Sequence, residues 1–233
     1  MRHGIWLAMA LGLLLGAAAA HHIVPPADRI PTDWLGPQPL EAAAAGIGRR
    51  VPDMALQSLF GGEVSLHAIA GERGTVIFVR DPACPVSQVY RPRQARLARQ
   101  YQPQGFQFVV LYLNDLLPPE AVAADAGDFD GPATFLRGGG FALARALGVQ
   151  STGDVFVLDA RYRLVYRGAL DDQYGLGYTR ELPMRRYLEK ALDALIAGRP
   201  VPMAATTAPG CSIDARPGES PTLQPWSPEE QAG

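Results

Sequence analysis

The sequence has little net charge, only two cysteines and only four histidines. Its 21 lysine and arginine residues nearly balance 23 aspartate and glutamate residues, which leaves a net charge of −2. Proteins that bind nucleic acid usually carry a strongly basic surface, so this composition argues against that class of partner. The glycines at 138–140 lack the G-x-G-x-x-G spacing of nucleotide-binding loops. No cofactor is therefore expected.

The first 20 residues have the pattern of a secretory signal peptide. Arg2 and His3 precede an apolar run that ends in alanines, which offer cleavage sites. The alternative is an uncleaved signal that anchors the chain in a membrane, but the run is short for a bilayer span. Cleavage would deliver the protein to the periplasm or outside the cell, where pairs of cysteines can oxidise.

Two histidines, His21 and His22, follow the predicted signal peptide. Cleavage after Ala19 or Ala20 would bring them to the new amino terminus, where amine, amide and imidazole nitrogens bind Cu(II) well. The alternative is that both histidines are incidental to the cleavage boundary. Only His67 remains elsewhere to complete a site, so no metal is assigned to them.

Composition divides the rest of the chain into three segments. Residues 21–46 are rich in proline and alanine and predict an extended leader. Residues 214–233 are proline-rich and acidic, which predicts a disordered tail. Residues 47–213 are then expected to form one compact domain.

Hydrophobic periodicity within this domain predicts an α/β fold. Continuous apolar runs at 75–80 and 106–113 are typical of strands buried on both faces. Helical spacing covers 85–101, 140–147 and 181–197, and two hairpins are predicted, at 54–66 and 154–168. We expect a central mixed β-sheet flanked by helices, with an extra N-terminal β-hairpin.

Cys84 lies at the junction between the first buried strand and the following helix. Pro85 suits the first position of a helix, because its missing N–H would have no partner there. Cys84 then becomes the N-cap, where backbone N–H groups and the helix dipole favour the thiolate and can lower a thiol pKa from about 8.5 into the range of about 3.5–7.5. Arg80 is expected to add positive charge. The alternative is a buried structural cysteine.

The stretch Ala83–Ser87, "ACPVS", resembles the active-site turn of the thioredoxin-like superfamily, in its peroxiredoxin/redoxin (AhpC/TSA-type) branch. The segments "VPDMAL…GGEVSL" and "GVQSTGDVFVLDARYRLVYRGALDDQY" resemble the opening hairpin and later strands of that branch. The ending Gly210-Cys211-Ser212-Ile213 is similar to an exported bacterial subset that ends in GC-x-I. The resemblance implies a thioredoxin-like fold and thiol–disulfide chemistry on protein thiols or a redox partner protein.

Three residues depart from the patterns of this superfamily. Ser87 stands where a C-x-x-C motif has its second cysteine, and Asp81 stands where a peroxiredoxin has threonine. A carboxylate at that point opposes a thiolate and argues against efficient peroxide reduction. Gly153 stands where the family has a cis-proline that shapes the substrate groove.

Cys211 is the second cysteine of the chain and the expected disulfide partner of Cys84. Two interpretations stay open: Cys84 attacks and Cys211 resolves in a redox cycle, or the pair is a permanent link that fixes the tail. Asp171 and Asp172 are further candidates, either for acid–base chemistry near the thiol or for a structural turn.

The sequence therefore predicts an exported thiol–disulfide oxidoreductase of the redoxin type, with Cys84 and Cys211 as catalytic residues and Arg80, Pro85 and Ser87 as supports of the thiolate. One alternative is a peroxiredoxin-like peroxidase with an antioxidant role. The other is a non-catalytic redoxin module that binds a copper or cytochrome partner.

Overall fold

The computed structural model describes residues 35–137, 141–175 and 177–213. The predicted signal peptide 1–20, His21 and His22, and the predicted tail 214–233 lie outside these ranges. In chain order the elements are β1 (Ala55–Gln57), β2 (Glu63–Ser65), β3 (Gly74–Arg80), α1 (Pro85–Tyr101), a 3-10 turn (Gln102–Gln104), β4 (Phe106–Tyr112), α2 (Pro119–Gly127), β5 (Thr134–Arg137), α3 (Phe141–Leu147), β6 (Val155–Asp159), β7 (Leu164–Gly168), β8 (Tyr174–Gly175), β9 (Tyr178–Thr179) and α4 (Tyr187–Ile196).

The central sheet has five strands in the order β5-β4-β3-β6-β7. Strand β3 pairs in parallel with β4 and antiparallel with β6, so the sheet is mixed. Every residue of β3 is buried, as its continuous apolar run predicts for a central strand. Strands β1 and β2 form the separate N-terminal hairpin. The predicted α/β fold with a mixed sheet and an extra hairpin is confirmed.

Helices cover both faces of the sheet. On one face, α1, α2 and α4 pack over Val76, Phe78 and Phe108. On the other face, α3 and the N-terminal hairpin pack over Ile77 and Val79. This division follows from the strand itself, because successive residues of β3 point to opposite faces. No helix within the described residues combines the length and apolar character that a bilayer span requires.

The helix over 181–197 is shorter than predicted. Helix α4 begins at Tyr187, whereas the preceding residues run as irregular chain. Pro183 lies in this segment, and the Asp172 carboxylate accepts hydrogen bonds from the backbone N–H groups of Met184 and Arg185, at 2.8 Å each. These bonds satisfy the two amides outside any helix, so the helix begins after them.

The described part of the predicted leader belongs to the folded domain. The backbone N–H of Leu40 donates to the carbonyl of Ala205 at 3.0 Å, and Pro39 pairs with Thr206. Ala45 is buried as well. The expected domain boundary at residue 47 therefore lies too late, because this short segment pairs with a distant part of the chain that sequence spacing does not indicate.

An ion pair lies buried between β3 and α2. The guanidinium of Arg80, 1% exposed, donates to both carboxylate oxygens of Asp125, at 3.0 and 2.7 Å. The same guanidinium donates to the Ser87 carbonyl at 2.6 Å, and the Tyr112 hydroxyl donates to Asp125 at 2.7 Å. Burial raises the pKa of Asp125, but the bonds and charge of Arg80 outweigh it and hold that pKa below its usual range.

We predict that Asp125→Asn lowers the free energy of unfolding by about 3–5 kcal/mol, because it leaves the Arg80 charge buried without its counterion. Urea unfolding followed by circular dichroism measures the change. The matched control is Asp130→Asn, which removes an exposed partner of Arg99 and should change stability little. Equal stability of the two variants would contradict the structural importance of the buried pair.

Candidate functional site

Cys84 caps the N-terminus of α1, as the sequence predicts. Its backbone is extended, with φ −87° and ψ 119°, and Pro85 begins the helix. The connection from β3 is a tight turn in which the Cys84 N–H donates to the Asp81 carbonyl at 3.0 Å. The Asp81 carboxylate accepts from the N–H of Ala83 at 2.7 Å and from the Asn114 amide at 3.0 Å. Asp81 thus closes the turn that carries the cysteine.

The sulfur of Cys84 is enclosed by the protein. The residue is 1% exposed, and its sulfur accepts a hydrogen bond from the buried Thr152 hydroxyl at 3.0 Å. The same hydroxyl oxygen accepts a hydrogen bond from the backbone N–H of Cys211 at 2.9 Å. Because that N–H occupies an acceptor position of the hydroxyl, the Thr152 proton is directed toward the sulfur.

These contacts favour the thiolate form of Cys84. Burial raises the pKa of the thiol, but hydrogen bonds from the Thr152 hydroxyl, the Ser87 backbone N–H and Cys211 outweigh it, so the pKa lies below its ordinary value. The side chain makes no capping bond of standard geometry to the helix. The thiolate is therefore stabilised mainly by Thr152 and only in part by the helix N-terminus.

Ser87 and Arg80 support the turn around the cysteine. The Ser87 hydroxyl donates to the Thr152 carbonyl at 3.0 Å and accepts from the Asp81 N–H at 3.2 Å. The guanidinium of Arg80, which the sequence places beside the thiolate, instead makes its hydrogen bonds to Asp125, Gln94 and the Ser87 carbonyl. Its charge is neutralised by Asp125, so Arg80 positions the first turn of α1 rather than contacting the sulfur.

The segment 209–213 crosses the site as an added extended strand. The Thr152 N–H donates to the Cys211 carbonyl at 3.0 Å, and the Ile213 N–H donates to the Gln150 carbonyl at 2.9 Å. Ser151 and Ser212 are antiparallel partners between them. We call residues 209–213 the tail segment, as distinct from the predicted disordered tail 214–233, and residues 150–153 the docking loop.

Two glycines allow the tail segment and the docking loop to approach closely. A Cβ atom on Gly153 would lie 1.9 Å from the Pro209 carbonyl oxygen, and one on Gly210 would lie 2.5 Å from the Ser151 hydroxyl. Gly210 also has φ +144°, a conformation that other residues rarely adopt. At Gly153, where the resemblance places a cis-proline, the Pro209 carbonyl of the tail segment occupies the adjacent space. The described residues contain no cis peptide bond.

Cys211 lies next to Cys84 but differs from it in exposure and acidity. Both cysteines are free thiols, with Cys84 buried and Cys211 exposed. A hydrogen bond with the Cys84 side chain raises the pKa of Cys211 above its ordinary value, and partial burial adds to this. The structure thus brings the two predicted sulfurs together without a bond between them.

A cavity of about 360 Å³ opens beside Cys211. Besides Cys211, its walls include the polar residues Arg80, Asp81, Asn114, Thr152 and Ser212, and the apolar residues Leu113, Leu116, Phe141 and Ile213. Leu116 is 96% exposed, so an apolar surface lies at the rim. The described residues contain no cluster of three or more histidine, cysteine or acidic side chains that could hold a metal ion.

Asp171 and Asp172 are both buried and make structural contacts. Asp171 accepts from the Tyr90 hydroxyl at 2.7 Å and from Arg93, both on α1. Asp172 binds the backbone N–H groups that precede α4, as described above. The contacts favour the structural alternative for this pair, which joins α1 to the segment before α4.

Thr152 is the functional residue that sequence analysis missed. A threonine in a turn between a helix and a strand is common, and nothing in its immediate neighbours distinguishes it. Its position directly before Gly153, the place of the family's cis-proline, is the signal that would have drawn attention to it.

We predict that Thr152→Val raises the pKa of Cys84, because the hydroxyl that stabilises the thiolate is lost, whereas Thr152→Ser keeps it low. The thiolate titration is followed by ultraviolet absorbance in a Cys211→Ser background, where Cys84 is the only thiol. Since a lowered pKa means thiolate at lower pH, the valine variant should need higher pH for half-ionisation. Superimposable titrations of the valine and serine variants would refute this role.

We predict that Gly153→Ala destabilises the protein by about 1–3 kcal/mol, because its new methyl group overlaps the tail segment. Urea unfolding gives the change, and limited proteolysis with mass spectrometry reports whether the tail segment is released. The control is Gly127→Ala, whose Cβ has no neighbour within 4 Å and which should not lower stability. Equal protease resistance of both variants would argue against close packing at Gly153.

Comparison with known proteins supports a relationship over most of the described chain. A family model described as Redoxin matches residues 47–179. An uncharacterised conserved protein from Geobacillus kaustophilus has 30% identity and a TM-score of 0.65, with 83% of this chain and 99% of that chain covered. A hypothetical protein from Sinorhizobium meliloti has 24% identity and a TM-score of 0.66, with coverage of 78% and 99%.

A candidate thioredoxin from Neisseria meningitidis shares the fold at 21% identity and a TM-score of 0.50, with 64% of this chain and 90% of that chain covered. No curated protein matches the chain. The Redoxin match includes Cys84 and Thr152 but ends before Cys211. On the extent of that match and on the thioredoxin-like sheet, the chain belongs to the Redoxin family.

Proposed function

We propose that the protein is an exported thiol–disulfide oxidoreductase in which Cys84 and Cys211 alternate between two thiols and one disulfide. The observation that carries this proposal is the Thr152 hydroxyl between the two cysteines: it donates to the Cys84 sulfur at 3.0 Å and accepts from the Cys211 backbone N–H at 2.9 Å. A low-pKa thiol beside a second thiol is the arrangement from which a disulfide forms and is reduced readily.

The cycle moves two electrons between the partner and the Cys84–Cys211 pair. In the oxidised state, a partner dithiol transfers two electrons to the Cys84–Cys211 disulfide and leaves as a disulfide. The protein retains a Cys84 thiolate, stabilised by Thr152. Of the two protons that the dithiol loses, one is taken up by Cys211 as a thiol and the other goes to the solvent. The reverse direction reduces a partner disulfide. The partners are protein thiols or disulfides.

The contacts support exchange over a permanent link. A disulfide that only fixes the tail needs no stabilised thiolate, yet Thr152 directs its proton at the Cys84 sulfur. The peroxidase alternative has less support, because Asp81 occupies the position of the peroxiredoxin threonine and its carboxylate is bound to Asn114. Export is proposed from the signal-peptide pattern of residues 1–20.

We predict that the wild-type protein oxidises a model dithiol peptide with turnover in a glutathione buffer, and that Cys84→Ser and Cys211→Ser each abolish turnover because the disulfide can no longer form. Thiol counting after native, denaturing and reducing treatment should give two thiols in the reduced form and none in the oxidised form.

Thr207→Ser is the matched control. It lies just before the tail segment and keeps the hydroxyl that accepts from the Gln38 N–H, so it should retain full turnover. A disulfide that glutathione cannot reduce would support the permanent link, and rapid consumption of peroxide would support the peroxidase. Either result would contradict the proposed function.

A further inference from the structure

We infer that Cys211, and not Cys84, is the sulfur that forms the mixed disulfide with a partner thiol. This inference rests on the proposed function. It reverses the roles that the position of Cys84 at a helix N-terminus predicts, where that cysteine would attack the partner and Cys211 would only resolve.

The two sulfurs differ in access. Cys84 is 1% exposed and lies beneath the contact between the tail segment and Thr152, whereas Cys211 is exposed. A partner thiol would have to separate the tail segment from the docking loop before it reached Cys84. The hydrogen bonds and glycine contacts between these segments oppose that separation.

The cavity beside Cys211 supplies the approach. A thiolate attacks a disulfide sulfur from the side opposite the leaving sulfur, so the attacked sulfur must border open space. Cys211 lines the cavity of about 360 Å³, and Cys84 is not among its lining residues. A partner thiol can therefore approach Cys211 through the cavity without separating the tail segment from the docking loop.

The leaving group also favours attack at Cys211. When a partner thiolate attacks Cys211 in the Cys84–Cys211 disulfide, a new bond forms between the partner sulfur and Cys211, and the electron pair of the broken bond stays on Cys84. A thiol of lower pKa leaves faster, and the Thr152 hydroxyl already points at this sulfur. A second partner thiolate then attacks the partner sulfur, which releases Cys211 to take up a proton.

The cavity walls indicate which thiols fit best. Leu116, Phe141 and Ile213 offer an apolar surface. Arg80 also lines the cavity, but its charge is paired with Asp125, so the Asp81 carboxylate opposes negative charge. A peptide cysteine with an apolar neighbour and no acidic group matches both features. The suitable probe is N-acetyl-cysteinyl-leucine amide, and N-acetyl-cysteinyl-glutamate amide is its matched control.

The test maps the mixed disulfide on the protein. Wild-type protein, oxidised with oxidised glutathione to the Cys84–Cys211 disulfide, is mixed with the leucine probe, quenched in acid within its first turnover, and digested for mass spectrometry. We expect the adduct on Cys211 in at least about tenfold excess over Cys84, because leaving-group acidity and access act together. The glutamate probe should react more slowly at the same residue.

A second measurement uses single-cysteine variants and an activated disulfide of the leucine probe. Cys84→Ser, which keeps Cys211, should react at least about tenfold faster than Cys211→Ser, since the remaining sulfur of the latter is buried. Adding Gly153→Ala to Cys211→Ser should raise its rate by releasing the tail segment. Both proteins should react at similar rates in urea, where access no longer differs.

Adducts mainly on Cys84 in the oxidised wild-type protein would overturn this inference while leaving the proposed function intact. A faster reaction of Cys211→Ser than of Cys84→Ser in the folded state would overturn it as well. If the oxidised protein exchanged with neither probe nor with the dithiol peptide, the proposed function would fail, and the inference with it.

Discussion

The hydrogen bond from the Thr152 hydroxyl to the Cys84 sulfur connects the three chain segments that make the site. Its oxygen accepts the N–H of Cys211, and its proton points to the sulfur that caps α1. One side chain thereby binds both the thiolate and the tail segment, so the docking of the tail segment is coupled to the ionisation of Cys84. If this hydroxyl were absent, the pKa of Cys84 would be higher, because the burial that raises it would be opposed only by the bonds from Ser87 and Cys211.

The part of the site that sequence could predict is the part made by contiguous residues. Strand β3, the turn at Asp81 and helix α1 follow one another, and their apolar periodicity and Pro85 indicate each boundary. The bounds of α1 are therefore as predicted. The expectation that Arg80 adds positive charge at the thiolate was wrong, because its guanidinium pairs with Asp125 instead. Asp125 lies on α2, a helix that the sequence pattern did not predict.

The remaining part depends on pairing between residues that are far apart in sequence. Strand β5 was not predicted, since its four residues leave too little periodicity to detect. The tail segment and the docking loop pack closely at two glycines, Gly153 and Gly210, which lie 57 positions apart in the sequence. Each glycine is unremarkable alone. The close approach of the two backbones leaves no room for a side chain at either position.

The tail segment and the thiolate must also stabilise one another. Contacts from Cys211 lower the pKa of Cys84, so docking of the tail favours ionisation. Because linkage is reciprocal, ionisation of Cys84 must strengthen docking by the same free energy. In the reduced protein the tail is then held most firmly when the thiolate is present, with Cys211 beside it. The arrangement that makes Cys84 a good leaving group is thus the same one that keeps it covered and leaves Cys211 to face the solvent.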